Sequence, residues 1–118
     1  MENRKIRVGI THGDINGVGY EVILKTFSDP TMLELCTPVV YGSPKVAAYH
    51  RKAMEIQTSF SIVNSAEEVQ DGRVNVVNCI EEELKVELTK PTPEAGKAAL
   101  AALERALADY REGLLDVL

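Results

Sequence analysis

The chain has 118 residues, 45% of them hydrophobic, enough for one modest core. A net charge of −5, with four tyrosines, two phenylalanines and no tryptophan, argues against nucleic acid as a partner. No apolar run is long enough to cross a bilayer, and Met1-Glu-Asn-Arg-Lys5 lacks a signal peptide's apolar core, so a cytoplasmic protein with no membrane contact is expected.

Strand and helix signals alternate along the chain, which points to an α/β fold with a mostly parallel sheet and flanking helices. Ile6–Thr11 reads as the first strand, and Gly17 to about Ser28 as the first helix, with Tyr20, Ile23, Leu24 and Phe27 on its buried face. Asp29-Pro30 closes that helix, because a residue before proline avoids helical geometry. Pro38-Val-Val-Tyr-Gly42 reads as a buried strand. Ser43 then caps a helix with Pro44 at its first position, continuing through Val46, Tyr49 and Met54. Phe60–Val63 is a short strand, and Ser65-Ala-Glu-Glu68 is a capping-box signature. Asp71-Gly72 turns into the strand Val74–Val77.

Past Asn78 the pattern weakens, with Glu81-Glu-Glu83 as a solvated acidic face and an edge strand around Val86 and Leu88. Thr92 caps a long helix with Pro93 in its first turn and Gly113 past its end. Ala95, Ala99, Ala102, Leu103, Ala106 and Tyr110 are expected to line one face of it, the alanines allowing close approach. Cys36 and Cys79 are too few for a disulfide framework or a metal knuckle and are expected to be reduced, largely buried residues.

The segment after the first strand carries the most chemistry. Gly13, Gly17 and Gly19 punctuate a loop between a strand's carboxyl end and a helix's amino end, where open α/β sheets hold ligands. No lysine follows the second glycine, so this is not a Walker A loop. The spacing G-x-x-x-G-x-G is not the dinucleotide fingerprint either. Asp14 would repel a phosphate and suits a hydroxyl, an amide or a cation. Its simpler role, or that of Asn16, is to cap the helix.

Thr11-His-Gly-Asp-Ile-Asn-Gly-Val-Gly-Tyr-Glu21 resembles the amino-terminal T-P-G-D-P-A-G-I-G-P-E motif of 4-hydroxythreonine-4-phosphate dehydrogenases, matching at Thr11, Gly13, Asp14, Gly17, Gly19 and Glu21. It departs at His12 and Tyr20, where that family usually has proline, and at Ile15-Asn16. Thr92 through Leu118 is similar to the family's segment preceding V-T-A-P-[IV]-x-K. The chain ends inside the apolar run Leu114–Leu118, so residues 1–118 are read as the amino-terminal part of one α/β dehydrogenase domain whose catalytic remainder is absent.

The resemblance implies the isocitrate and isopropylmalate dehydrogenase fold. It also implies an NAD(P)-dependent oxidation and decarboxylation of 4-phosphohydroxy-L-threonine, in pyridoxal phosphate (vitamin B6) biosynthesis. A divalent metal (zinc, magnesium or cobalt) assists in that family, with ligands and catalytic residues outside this chain, and its members are homodimers. By fold-level carry-over, Gly13, Asp14 and Gly17 are the expected cofactor neighbours. A close branch acting on D-threonate or D-erythronate 4-phosphate is an alternative, as is a non-catalytic nucleotide- or protein-binding module. The match gives His12 no catalytic role. His50, beside Arg51 and Lys52, is expected in solvent. Gly42-Ser-Pro-Lys45 is expected to cap a helix and not to bind an anion.

Overall fold

A computed structural model describes residues 5–13, 19–56, 58–79 and 92–118. Its elements are β1 (Ile6–Thr11), α1 (Gly19–Thr26), α2 (Pro30–Leu35), β2 (Cys36–Gly42), α3 (Pro44–Ala53), β3 (Phe60–Val63), a short 3-10 turn (Ala66–Glu68), β4 (Val74–Asn78) and α4 (Pro93–Arg111). The four strands form a sheet in the order β1-β2-β4-β3, and every pairing among them is parallel. The β-branched runs in β2 and β4 are buried on both faces, as parallel strands between helix layers must be.

The strand period of two splits the core. Val40 and Val76 point to one face, where Tyr20 and Ile23 of α1, Phe27 just after it, and Val46 and Ala47 of α3 cover them. Val39, Tyr41, Val63 and Val77 point to the other, against Ala102 and Ala106 of α4 and Leu115. Helix α4 serves both clusters, since Ala95 and Ala98 in its first turns belong to the first. It therefore passes over the sheet's end beside β1 before lying on the opposite face.

Several elements differ from the sequence reading. Helix α2 was not anticipated: Pro30 ends nothing there but stands at the start of a new helix, with the Asp29 carboxylate accepting from Thr31 N–H at 2.9 Å. Strand β2 consequently begins at Cys36. On α3 the buried stripe is Val46, Ala47 and His50, while Tyr49 and Met54 are exposed. On α4 it is Ala95, Ala98, Ala102, Ala106 and Asp109, with Leu103 and Tyr110 turned outward at 48% and 46% exposure. The caps hold as expected: Ser43 Oγ accepts from Val46 N–H, and Thr92 Oγ1 from Ala95 N–H. Cys36 and Cys79 are free and half-buried.

After α4, Gly113 adopts φ +79° and turns the chain back toward the sheet. Val117 then bridges Val8 in parallel, Gly9 N–H donates to Val117 O at 2.8 Å, and Arg7 N–H donates to the Asp116 carboxylate at 2.8 Å. Leu115 fills the space beside Gly9, where any β-carbon would approach its Cδ1 to 2.5 Å. The edge strand expected around Val86 and Leu88, and the Glu81–Glu83 run, lie outside the described residues.

Candidate functional site

Parallel strands send their carboxyl ends to one side, and there the chain gathers its polar groups. His12 and Gly13 follow β1, Gly42 and Ser43 end β2, and Cys79 follows β4. Backbone bonds extend the ladder into this rim: His12 N–H donates to Tyr41 O at 3.2 Å, and Cys79 N–H to Gly42 O at 3.1 Å. Ligands of open α/β sheets bind beyond this end.

A buried hydrogen-bond chain underlies the rim. Ser43 N–H donates to the Tyr20 hydroxyl oxygen at 3.0 Å, that hydroxyl lies 3.0 Å from His12 Nδ1, and His12 Nε2 lies 3.0 Å from Ala98 O. A carbonyl can only accept, so Nε2 carries the proton; in the neutral ring Nδ1 then accepts from the tyrosine. Every donor in this sequence meets an acceptor. His12 and Tyr20 are each 1% exposed, and burial pushes the Tyr20 hydroxyl well above its ordinary range despite the opposing Ser43 amide. The phenol therefore stays protonated at neutral pH. Its ring stacks on His50 at 5.5 Å, and Tyr49 meets His50 edge-on.

Gly42 is required by this arrangement. A β-carbon there would collide with the Tyr20 hydroxyl and come within 2.8 Å of His12 Nδ1. Gly19 is similarly constrained, its hypothetical β-carbon falling 2.5 Å from His12 O. The residue preceding the glycine loop and the one ending it are thus in backbone contact.

The opposite sheet face holds a second buried tie. Tyr41 O–H donates to Asp109 Oδ2 at 2.7 Å, and Arg105 Nε lies 3.7 Å from the same oxygen. Burial, then the Asp109 hydrogen bond, raise the Tyr41 hydroxyl far above its usual value. Burial also pushes the Cys79 thiol up, with Arg105 opposing, which keeps it protonated and a poor nucleophile. This set fastens α4 to β2.

Of the expected cofactor neighbours, Gly13 stands at the rim with φ +68°, and among the described residues no atom lies within 4 Å of a would-be β-carbon. Asp14 and Gly17 lie outside the described residues, as does the capping role considered for Asp14 or Asn16. His50 is not in solvent: at 1% exposure it shares the buried helical stripe with Val46 and Ala47. Gly42-Ser-Pro-Lys45 acts as a cap, as expected. Among the described residues, no group of three or more His, Cys, Asp or Glu side chains is placed to hold a metal ion.

The His12–Tyr20 pairing was missed from sequence. Its one visible signal was that both residues replace prolines, eight positions apart, at the two ends of one loop. The Tyr41–Asp109 tie was signalled only by an aspartate three residues beyond Ala106, on an otherwise small-residue face.

The family model described as "Pyridoxal phosphate biosynthetic protein PdxA" matches residues 34–118. The chain belongs to the PdxA family. A 4-hydroxythreonine-4-phosphate dehydrogenase of Bacteroides thetaiotaomicron is 73% identical over all 118 residues, which span 32% of its length. An Oceanobacillus iheyensis protein, provisionally named a D-threonate 4-phosphate dehydrogenase, is 29% identical over 98% of the chain and 36% of its own length. The crystal structure of a 4-hydroxythreonine-4-phosphate dehydrogenase from Burkholderia phymatum superposes with a TM-score of 0.84 at 25% identity, covering 98% of the chain and 36% of that structure. The chain thus spans about a third of the length of these PdxA-like relatives. Its parallel α/β architecture is the one that the solved structure shares.

Proposed function

We propose that this chain supplies the amino-terminal wall of an NAD(P)-dependent, divalent-metal-dependent dehydrogenase that oxidises and decarboxylates 4-phosphohydroxy-L-threonine in pyridoxal phosphate biosynthesis. The observation that carries this reading is the 73% identity, over the whole chain, to a protein named for that activity. The provisional D-threonate 4-phosphate dehydrogenase stands much further away, at 29%.

In this reading the backbone around Gly13, Asp14 and Gly17 flanks the dinucleotide. The left-handed Gly13 at the carboxyl end of β1 supports it, because such a glycine lets a ligand approach main-chain atoms directly. When bound, the nicotinamide would accept the hydride and the metal would polarise the reacting oxygen. The described residues contribute binding and orientation. His12 has both ring nitrogens engaged in buried bonds, so it holds the rim together and is not placed to shuttle protons. The metal's ligands and the catalytic residues are assigned to the part of the relatives' length beyond this chain.

We extend the reading to a cytoplasmic homodimer without nucleic-acid or membrane partners. The net charge of −5 supports the first exclusion. For the second, no helix among the described residues is long and apolar enough to cross a membrane.

The test is turnover by a protein of the relatives' full length carrying this chain. NADH or NADPH formation with 4-phosphohydroxy-L-threonine, abolished by a chelator and restored by zinc or magnesium, is the expected result. Turnover confined to D-threonate or D-erythronate 4-phosphate would assign the other branch, and no turnover of any of these acids would refute the dehydrogenase reading.

A further inference from the structure

We propose that a cleft at the amino ends of the strands binds a small carboxylate with an apolar, ring-sized body. The cleft lies at the opposite end of the sheet from the rim. Thr58 and Ser59 lead into β3 there, Gly72 and Arg73 lead into β4, and α1 hands over to α2. Its space is about 390 Å³, near the lower end of the roughly 300–1,000 Å³ that small-molecule sites occupy. The floor is apolar: Phe27 and Val74 belong to the buried core, and half-buried Leu33 stands beside them.

The polar groups of the wall divide into spent and unspent donors. Thr58 gives its hydroxyl proton to Leu24 O at 2.8 Å, and Ser28 gives its own to Lys25 O at 2.7 Å. No hydrogen bond or ion pair among the described residues uses the Ser59 hydroxyl or the exposed Arg73 guanidinium. A second cation stands at the edge. Lys5 Nζ donates to Leu33 O at 2.8 Å, and a β-carbon built on Gly72 would come within 3.2 Å of it. That bond uses one of the ammonium's three protons.

An apolar floor under unspent cationic donors selects the ligand's chemistry. The guanidinium fork fits the two oxygens of a carboxylate, and the floor adds affinity only for a hydrocarbon body. Asp29 and Asp71, next in sequence to Ser28 and Gly72, weigh against a dianion such as phosphate. The proposal goes beyond the dinucleotide reading and stands or falls without it.

The probe is benzoate, followed by saturation-transfer NMR of its ring protons, with the protein of the relatives' full length carrying this chain. Saturable binding with a dissociation constant on the order of 1 mM is expected. Benzyl alcohol, which keeps the ring, and acetate, which keeps the charge, should each bind at least about fivefold more weakly. Arg73→Gln should weaken benzoate by about fivefold, the scale of one exposed charged contact, while the melting temperature stays within about 2 °C. Ser59→Phe, which fills the cleft from an exposed wall position, should abolish the transfer. Absence of saturable transfer, benzoate affinity unchanged in either variant, or acetate or benzyl alcohol binding as tightly as benzoate would overturn the proposal.

Discussion

Two helix ends in this chain use the same hydrogen-bond motif with different residues at its critical position. At the end of α4, Gly113 N–H donates to Tyr110 O and Leu114 N–H to Asp109 O, with Gly113 at φ +79°. At the end of α3, Glu55 N–H donates to Lys52 O and Ile56 N–H to Arg51 O, with Glu55 at φ +53°. The second places a side chain in the left-handed region that disfavours it. Glu55→Gly should therefore stabilise the protein by about 0.5–1 kcal/mol, and Gly113→Ala should cost about 1 kcal/mol, both read from urea midpoints. Gly113 was recognisable as a helix stop because glycine announces its own purpose; Glu55 was not, since nothing in glutamate signals positive φ.

The buried tyrosines give a pH dependence with a definite sign. Both have hydroxyls raised above the ordinary value of 10.0, so the folded state keeps protons that the unfolded chain releases above that pH. Their contribution is complete below pH 10 and is lost as pH climbs past it. Stability should fall by about 1.4 kcal/mol per pH unit for each tyrosine there, and Tyr20→Phe or Tyr41→Phe should each halve the combined slope.

At the scale of elements, α4 shows what periodicity resolves and what it leaves open. Its existence, its Thr92 cap and its stop were all legible, because caps act locally and carry their own residue types. Its rotation was legible only in part: Ala95, Ala102 and Ala106 face inward as expected, but Leu103 and Tyr110 do not. An alanine-rich helix offers several faces of similar apolarity, and the sheet took the one bearing Ala98, Ala102, Ala106 and Asp109. Leu100, Leu103, Leu107 and Tyr110 were left outward. Ala102→Leu should therefore overpack the α4–β2 contact at a cost of about 1–3 kcal/mol, whereas Leu103→Lys should change this fold's stability by less than about 0.5 kcal/mol. Thermal melts of the two variants separate these expectations. Helix α2 escaped detection for a related reason: Asp29-Pro30 is equally good grammar for ending one helix and for starting another.

For the molecule as a whole, the parallel order β1-β2-β4-β3 matters because it directs all four strand ends to one rim. The strand positions and that rim followed from alternating sequence signals and from one glycine-rich loop. The ties beneath the rim did not, because His12 meets Ala98 across 86 positions and Tyr41 meets Asp109 across 68, and no local pattern encodes such distances. The rim is also what gives this chain a place in the proposed enzyme, as one wall against which a dinucleotide lies.

Amide exchange in the full-length protein, with and without saturating NAD(P), examines that wall directly. Protection on binding should concentrate at the end of β1 and the start of α1, with Gly13 and Gly19 slowed and the exposed end of α4 unchanged. Tight binding that leaves those two glycines exchanging at their unliganded rates would mean that the dinucleotide lies elsewhere.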